Sequence, residues 1–338
     1  MVKFALIGAG FIANMHVDAI KQIEGAEITA ISDKVEEKGR KLAESCNAEY
    51  YSNIDELLKN VDIDCIDICV PTFLHEEMVI KVAAAKKHIL CEKPLTLSLE
   101  AADNMIKAVK ENGVKAMVGH ALRFWPEYMS IKEYLDSNAL GRPLQAFCQR
   151  LAVTPDWHQG NWGESEKFGG GAALDLHIHD LDYLIWLFGR PSIVMAQGMY
   201  DPVFKEAGGL VHIATTIEFE NKVSAIAEGG WAFKGAFPFT MAIRILCEKG
   251  TIEWIFKAGK NIEKRSEKAE IVVYKNDGTI EKLESSADDA YFLEISYLVD
   301  CIKNDRNIEK ASFEDGRKSL ELALAAIKSA KEHCVVRL

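Results

Sequence analysis

Over about the first 120 positions, short apolar runs alternate with longer stretches in which apolar residues recur every three or four places. Residues 3–7, 27–32, 65–70, 88–91 and 115–118 read as strands, and 65–70 (CIDICV) is apolar nearly throughout. Helical spacing occupies 11–23, 34–46, 54–59, 76–86 and 99–110, with a short strand at 48–51 before the third helix. Near-continuous apolar strands alternating with helices predict βαβ units and a parallel sheet covered on both faces. After about residue 123 the rhythm changes. A helix over 127–138 and a strand over 144–153 precede strands at 193–200, 211–219, 223–231, 240–247, 251–256, 271–274 and 280–283. The links 220–222 and 248–250 have hairpin length, and Asp277-Gly278 marks a clearer hairpin. Helices over 292–303 and 313–332 close the chain. This half predicts an α+β fold around a largely antiparallel sheet, giving an α/β domain over 1–121 and an α+β domain over 122–338.

Composition narrows the class. A chain of 338 residues is long for a single core, which supports the two-domain reading. Its formal net charge of −11 and the lack of any long run of Lys or Arg argue against a nucleic-acid partner. No stretch approaches about 20 uninterrupted apolar residues, so no membrane span is expected, and the opening MVKFALIGAG lacks the pattern of a secretory signal. The eight cysteines are scattered without CxxC spacing and read as free thiols of a cytoplasmic protein.

Two segments suggest chemistry. Gly8-Ala9-Gly10-Phe11-Ile12-Ala13 ends the first strand and opens the first helix, the setting a GxGxxA dinucleotide fingerprint requires. Gly8 permits the tight turn, Gly10 lets backbone approach a pyrophosphate at the helix N-terminus, and Ala13 keeps helix close to sheet. Asp33 ends the second strand, where a carboxylate accepts from ribose hydroxyls and repels a 2′-phosphate, favouring NAD over NADP; its alternative role is a cap for the helix that follows. Lys34 and Arg40 lie close enough in sequence to soften discrimination against NADP.

The second segment, LDLHIHDLD (174–182), depends on backbone geometry. As a strand it would place Asp175, His177 and His179 on one face, a metal-site pattern. As a helix turning about 100° per residue, Asp175, His179 and Asp182 fall within roughly 60° of one another and His177 points away. The apolar set Leu174, Ile178, Leu181, Ile185 and Phe188, with Gly189 and Pro191 as stop signals, favours the helix. His177 then reads as a packed histidine, and Asp180 as exposed or locally paired. From these residues alone a solvated helix face and a zinc site remain alternatives.

GAGFIA (8–13), PTFLH (71–75), HILCEKP (88–94), RFWPEY (123–128), GGGAALDLHIHDLD (169–182) and SFEDG (312–316) occur in one order that resembles the Gfo/Idh/MocA oxidoreductase family. The resemblance implies a Rossmann domain followed by a domain with a large open-faced sheet, which in the family often forms homodimer or homotetramer interfaces. It implies hydride transfer between NAD(P) and a hydroxyl carbon of a polyol, sugar or sugar derivative. By matching motifs, Lys93 is similar to the family's catalytic lysine, and Asp175 and His179 to its Asp-x-x-x-His pair. Pro71, Thr72 and His75 match the loop that lines the cofactor, Glu92 lies close to it, and Tyr291 resembles an aromatic near the nicotinamide or substrate. Lys86 stands where the family commonly has glycine before the fifth strand, and His177 where it commonly has glycine after the motif Asp. Arg123 and Trp162, with Trp157 and His158, are candidates to line a sugar site, although a Trp before the glycine run can equally pack beneath it.

Oxidation of an alcohol carbon needs a base for the hydroxyl proton and a group that stabilises the developing alkoxide. His179 is the candidate base, Asp175 the residue that fixes its tautomer, and Lys93 the group on the reacting oxygen; the order of His179 and Lys93 is open. Competing readings are an NAD-dependent glycoside hydrolase of the same fold, a non-catalytic NAD- and sugar-binding regulator, and a metal-dependent hydrolase using His177 and His179.

Overall fold

A computed structural model describes residues 1–154, 162–200, 208–259 and 269–338. Two compact units divide the chain, Met1–Phe124 with Asp288–Arg317, and Trp125–Ala287 with Lys318–Leu338. The sequence pattern predicts one break at 121/122, whereas residues 288–317 return to the first unit.

The first unit's strands are β1 (Val2–Ile7), β2 (Ala26–Ser32), β3 (Glu49–Tyr51), β4 (Cys65–Ile68), β5 (His88–Glu92) and β6 (Ala116–Gly119). They pair in parallel in the order β3-β2-β1-β4-β5-β6. This is the doubly wound order, whose direction reverses between β1 and β4. Burial on both faces explains the continuous apolar runs: every residue of β4 is buried, as are five of the six in β1. The crossing helices are α1 (Phe11–Ile20), α2 (Glu36–Ser45), α3 (Ile54–Asn60), α4 (His75–Ala84) and α5 (Leu99–Asn112). Their limits follow local chemistry. Asn53 accepts the Glu56 N–H and Ser98 the Ala101 N–H, while Gly113, at φ +67°, ends α5 in the left-handed region. Helix α8 (Ala290–Lys303), capped by Asp289, packs on α1. The first turn of α9 (Phe313–Glu332) completes this unit, and there Ser312 and Asp315 exchange side chain-to-backbone hydrogen bonds in a capping box.

The second unit holds α6 (Pro126–Asp136), β7 (Pro143–Val153), a π-helical turn over Ala173–His177 that runs into α7 (Ile178–Phe188), and β8 (Pro191–Tyr200). Strands β9 (Leu210–Phe219), β10 (Ser224–Phe233), β11 (Thr240–Cys247), β12 (Gly250–Lys257), β13 (Ile271–Lys275), β14 (Ile280–Leu283) and β15 (Val336–Arg337) follow. Among the described residues they form one sheet ordered β14-β13-β12-β11-β7-β10-β9-β8-β15. All its pairs are antiparallel except β7 with β10. One face is buried. The register brings Met195, Thr216, Ile226, Phe147, Arg244 and Leu246 to the other, where Met195, Ile226 and Leu246 are exposed. The open-faced, mainly antiparallel sheet is therefore as the hydrophobic pattern predicts; the two-residue β15 was too short to register in that pattern.

Beneath the covered face lies an ion pair. Arg150 Nε donates to Asp180 Oδ2 at 2.8 Å and Nη2 to Asp180 Oδ1 at 3.2 Å, with Nη2 also 3.2 Å from the Tyr128 hydroxyl. Both side chains are buried, which corrects the expectation that Asp180 is exposed or paired locally; its partner is 30 residues away in the sequence. Removing one member strands the other without water. Asp180→Ala is expected to lower stability by about 3–5 kcal/mol, and the double change Arg150→Met/Asp180→Leu to recover most of that loss, as read by thermal denaturation.

Candidate active site

In the first unit the candidate residues gather at the carboxyl ends of β1, β2, β4 and β5. Gly8 has φ +101°, and a Cβ there would stand 2.3 Å from the Cys69 carbonyl oxygen, so glycine is required twice over. No atom lies within 4 Å of where a Cβ on Gly10 would stand, and α1 starts at Phe11 without a side-chain cap. Backbone N–H groups with open space before them fit a pyrophosphate. Ala13, the third residue of the helix that Phe11 and Ile12 open, is fully buried. Asp33 accepts from Ala9 N–H at 2.6 Å through Oδ2 and from Val35 N–H at 2.7 Å through Oδ1. Its carboxylate thus ties the glycine loop to the start of α2, so the capping and cofactor readings are compatible. Arg40 is turned to Glu36 (2.7 Å) and lies 4.8 Å over the Tyr50 ring.

Pro71 and Thr72 begin a short 3-10 turn after β4. His75 is 1% exposed: Nε2 faces the Val70 carbonyl at 2.9 Å, and Nδ1 the Pro94 and Leu95 carbonyls at 3.1 and 3.2 Å. It clamps two loops together from below, where the sequence reading had it lining the cofactor. Burial holds its pKa below the ordinary histidine value. Lys93, half-buried, follows β5 directly, and its N–H donates to Glu92 Oε2 at 3.1 Å. Glu92 itself points inward. Its Oε1 lies 3.3 Å from His16 Nε2, and Gly119 on β6 leaves the space, since a Cβ there would stand 2.7 Å from that oxygen. Tyr291, at the start of α8, packs its ring 5.5 Å from His16.

Arg123 corrects the sequence reading. It is 3% exposed and its Nη1 donates to Asp315 Oδ2 at 3.0 Å, so it anchors the cap of α9 rather than meeting a substrate.

In the second unit the candidate catalytic residues follow the glycine run. A Cβ on Gly169 would stand 2.5 Å from Gly163 Cα, and one on Gly171 2.7 Å from the Leu210 carbonyl oxygen; these glycines let three backbone segments meet. Half-buried Trp162 lies at that junction, its carbonyl oxygen 2.6 Å from the Gly169 Cβ position. Trp157 and His158 lie outside the described residues. The segment after the glycines is helical, but Ala173–His177 forms a π turn, so a uniform 100° step does not describe it. Asp175, on the π turn, and His179, on α7, are both half-buried. Asp182 is fully buried and leaves the polar face on which the 100° rule had put it. His177 is the packed histidine anticipated. It is 0% exposed, its Nε2 is 2.9 Å from Thr215 Oγ1, and Gly229 leaves room for its ring. Burial, reinforced by His212 and Arg150, holds its pKa down at about 3, so it is neutral and does no acid–base work near pH 7. Lys93 belongs to the first unit, and Asp175 and His179 to the second.

Sequence reasoning overlooked a buried group under Lys93. His16 Nδ1 is 2.8 Å from Asp67 Oδ2, Cys69 Sγ is 3.2 Å from Asp67 Oδ1, and Glu294 on α8 is fully buried close by. The signal was present: His16 interrupts the apolar stripe Ala13–Val17–Ile20, and Asp67 interrupts CIDICV. The donor atoms of His16, Asp67 and Cys69 lie within 4.8 Å of one another, but the 2.8 Å contact is direct hydrogen bonding, which leaves no lone pair of Nδ1 for a metal.

Comparison with known proteins accounts for both units. Residues 2–120 match the model of an oxidoreductase family with an NAD-binding Rossmann fold, and 132–338 that of the same family's C-terminal alpha/beta domain. An "uncharacterized oxidoreductase" of Bacillus subtilis is 32% identical over 251 residues, covering 73% of this chain and 71% of the relative. Myo-inositol 2-dehydrogenase of Thermotoga maritima is 28% identical over 350 residues, covering 100% and 98%. The solved aldose-aldose oxidoreductase of Caulobacter crescentus, complexed with glycerol, has a TM-score of 0.87 at 22% identity, covering 100% of this chain and 99% of that one, a likeness of fold.

Glu294 gives a pH test. Burial first, then the nearby Glu92 charge, raise its pKa well above the ordinary value, so the folded protein keeps a proton that the unfolded chain releases near pH 4.3. A raised folded pKa contributes stability that is complete below the unfolded pKa and is lost as pH rises through the folded one. Glu294→Gln carries no such proton, so its melting temperature is expected to gain on wild type steadily from pH 5 to pH 8. A constant difference across that range would show that Glu294 is ionised in the fold.

Proposed function

Because the chain belongs to the Gfo/Idh/MocA oxidoreductase family, and is an NAD-binding oxidoreductase, we propose that it is a dehydrogenase of a polyol, sugar or sugar derivative, with an inositol-like ring as first candidate. The observation that carries this reading is Lys93, half-buried at the carboxyl end of β5, on the same sheet edge as the open backbone of Gly10 and the Asp33 carboxylate. A second support is a named inositol dehydrogenase matched over the whole chain.

When bound, NAD supplies the hydride acceptor. Phe11 and Ile12 open the helix whose N-terminal N–H groups would hold its phosphates, and Asp33 would hold the ribose, favouring NAD over NADP. Pro71 and Thr72 shape the neighbouring wall, and Tyr291 closes the α8 side. Lys93 holds the substrate oxygen and favours its ionised form. His179 takes the hydroxyl proton, and Asp175 orients the imidazole. Trp162 keeps the loop of the second unit in place. The free cysteines, six of the eight buried, suit a reducing cytoplasm. No helix among the described residues is long and apolar enough to cross a membrane.

The open sheet face is the proposed homo-oligomer interface. Met195 is 52% exposed and Ile255 50%, and with Ile226 and Leu246 they put exposed apolar side chains on that face beside Thr216 and Arg244, which supports an interface between copies of the chain. Ile226→Asp/Ile255→Asp is expected to reduce the solution mass measured by light scattering to that of one chain; an unchanged mass would place the interface elsewhere.

The decisive assay incubates the protein with NAD or NADP and a panel of inositols, aldoses and sugar acids. NADH formation with an inositol or sugar is expected. Release of nitrophenol from nitrophenyl glycosides without NADH accumulation would replace the dehydrogenase by the hydrolase reading. Lys93→Ala should lower kcat by about 100-fold or more while the affinity for NAD changes less than about 3-fold. Turnover within a few-fold of wild type would remove Lys93 from the chemistry.

A further inference from the structure

Two buried carboxylates stand on adjacent parallel strands beneath the Lys93 turn. Asp67 is 0% exposed on β4, and Glu92 6% at the end of β5. Isolated carboxylates at such sites carry a desolvation penalty of several kcal/mol per ion, and a cation between them removes most of it. The residue between them is His16, 0% exposed, in the second turn of α1. Its Nδ1 is 2.8 Å from Asp67 Oδ2 and its Nε2 3.3 Å from Glu92 Oε1. The other Glu92 oxygen accepts the Lys93 N–H. The contacts form one line, Asp67–His16–Glu92–Lys93 backbone, from the middle of the sheet to the residue that carries the proposed chemistry.

We propose that His16 is a positioning residue: bridging Asp67 and Glu92, it fixes the Glu92–Lys93 peptide and so sets where the Lys93 amine works. The inference rests on the reading of Lys93 as catalytic. Both ring nitrogens face carboxylates, Nδ1 at hydrogen-bond distance from Asp67 and Nε2 at ion-pair distance from Glu92, a setting that favours the doubly protonated imidazolium. Burial opposes that charge, but the Asp67 carboxylate and then Cys69 outweigh it and hold the His16 pKa well above the ordinary histidine range. In turn His16 holds Glu92 below the ordinary carboxylate range against its burial. The groups facing the ring are Asp67 and Cys69 from β4 and the residues just after it, Glu92 from β5, and Tyr291 and Glu294 from α8. Tyr291 and Glu294 both have pKa values raised by burial, so they add no negative charge near pH 7. The arrangement also links the phosphate loop to the lysine, because His16 lies on the helix that begins at that loop.

The test uses the full chain and the substrate identified by the panel. His16→Gln and Glu92→Gln keep similar volume but break the charged line, and Gly119→Ala presses on Glu92 from β6. Each is expected to lower kcat by about 10–100-fold with KM for NAD changed less than about 3-fold, the mark of a displaced group rather than a lost binding site. Nitrogen NMR of labelled histidine, with the His16 signal identified by its absence in His16→Gln, should show both ring nitrogens protonated from pH 6 to pH 9. In Asp67→Asn the same ring should titrate within that range, and kcat should fall with the same apparent pKa. A neutral His16 in wild type, or His16→Gln turning over within about 3-fold of wild type while Lys93→Ala is inactive, overturns the proposal and leaves Lys93 catalytic. An active Lys93→Ala enzyme overturns the catalytic reading instead, while the NMR signature still reports the charge on His16.

Discussion

The strand ends of β1 and β4 meet so closely that a Cβ on Gly8 would stand 2.3 Å from the Cys69 carbonyl oxygen, and the glycine loop of the first unit depends on this approach. It occurs where the strand order reverses, the point at which an open parallel sheet leaves a crevice. The turn that makes it also starts α1 with uncapped N–H groups and carries His16 down beside Asp67. One steric condition therefore serves an outer surface for phosphate and an inner surface for buried charge. A side chain at Gly8 would disturb both, because β1, the loop and α1 are consecutive in the chain.

Buried charge recurs in the second unit with a different use. Arg150 and Asp180 join β7 to α7 by a two-point contact and tie the helix carrying His179 to the middle of the sheet. His177, neutral and hydrogen-bonded to Thr215, holds the same helix start against Gly229. The π turn that holds Asp175 is fixed from below by these two contacts, while the glycines before it allow the backbone crossing that such a start needs. In both units the residues proposed for chemistry are half-buried and stand next to fully buried polar residues.

Element order, helix and strand type and the parallel and antiparallel halves were legible because periodicity reports which faces are buried. The helix 313–332 and the strands 240–247 and 280–283 coincide with the observed bounds, since apolar spacing and turn residues agree there. The glycine fingerprint was legible as well, being a local requirement on consecutive residues. The π turn was not, because it differs from an α turn by one residue in its hydrogen bonds and leaves no mark on apolar spacing. Nor were the destinations of polar residues placed in apolar stretches. Asp180, Asp182 and Arg123 were read as surface or substrate groups, and all three are buried.

From the amino-acid order alone came the kinds of element, the nucleotide loop and the proposal of Lys93, Asp175 and His179 for the chemistry. Tertiary structure alone decided that residues 288–317 return to the first unit, that Arg123 pairs with Asp315, and that His16 lies between Asp67 and Glu92. The reason is range. Periodicity and turn chemistry act within a few residues, whereas the partner of a buried charge is chosen by desolvation, which forces it to accept whatever opposite charge the packed fold brings near, 51 residues away for His16 and 192 for Arg123.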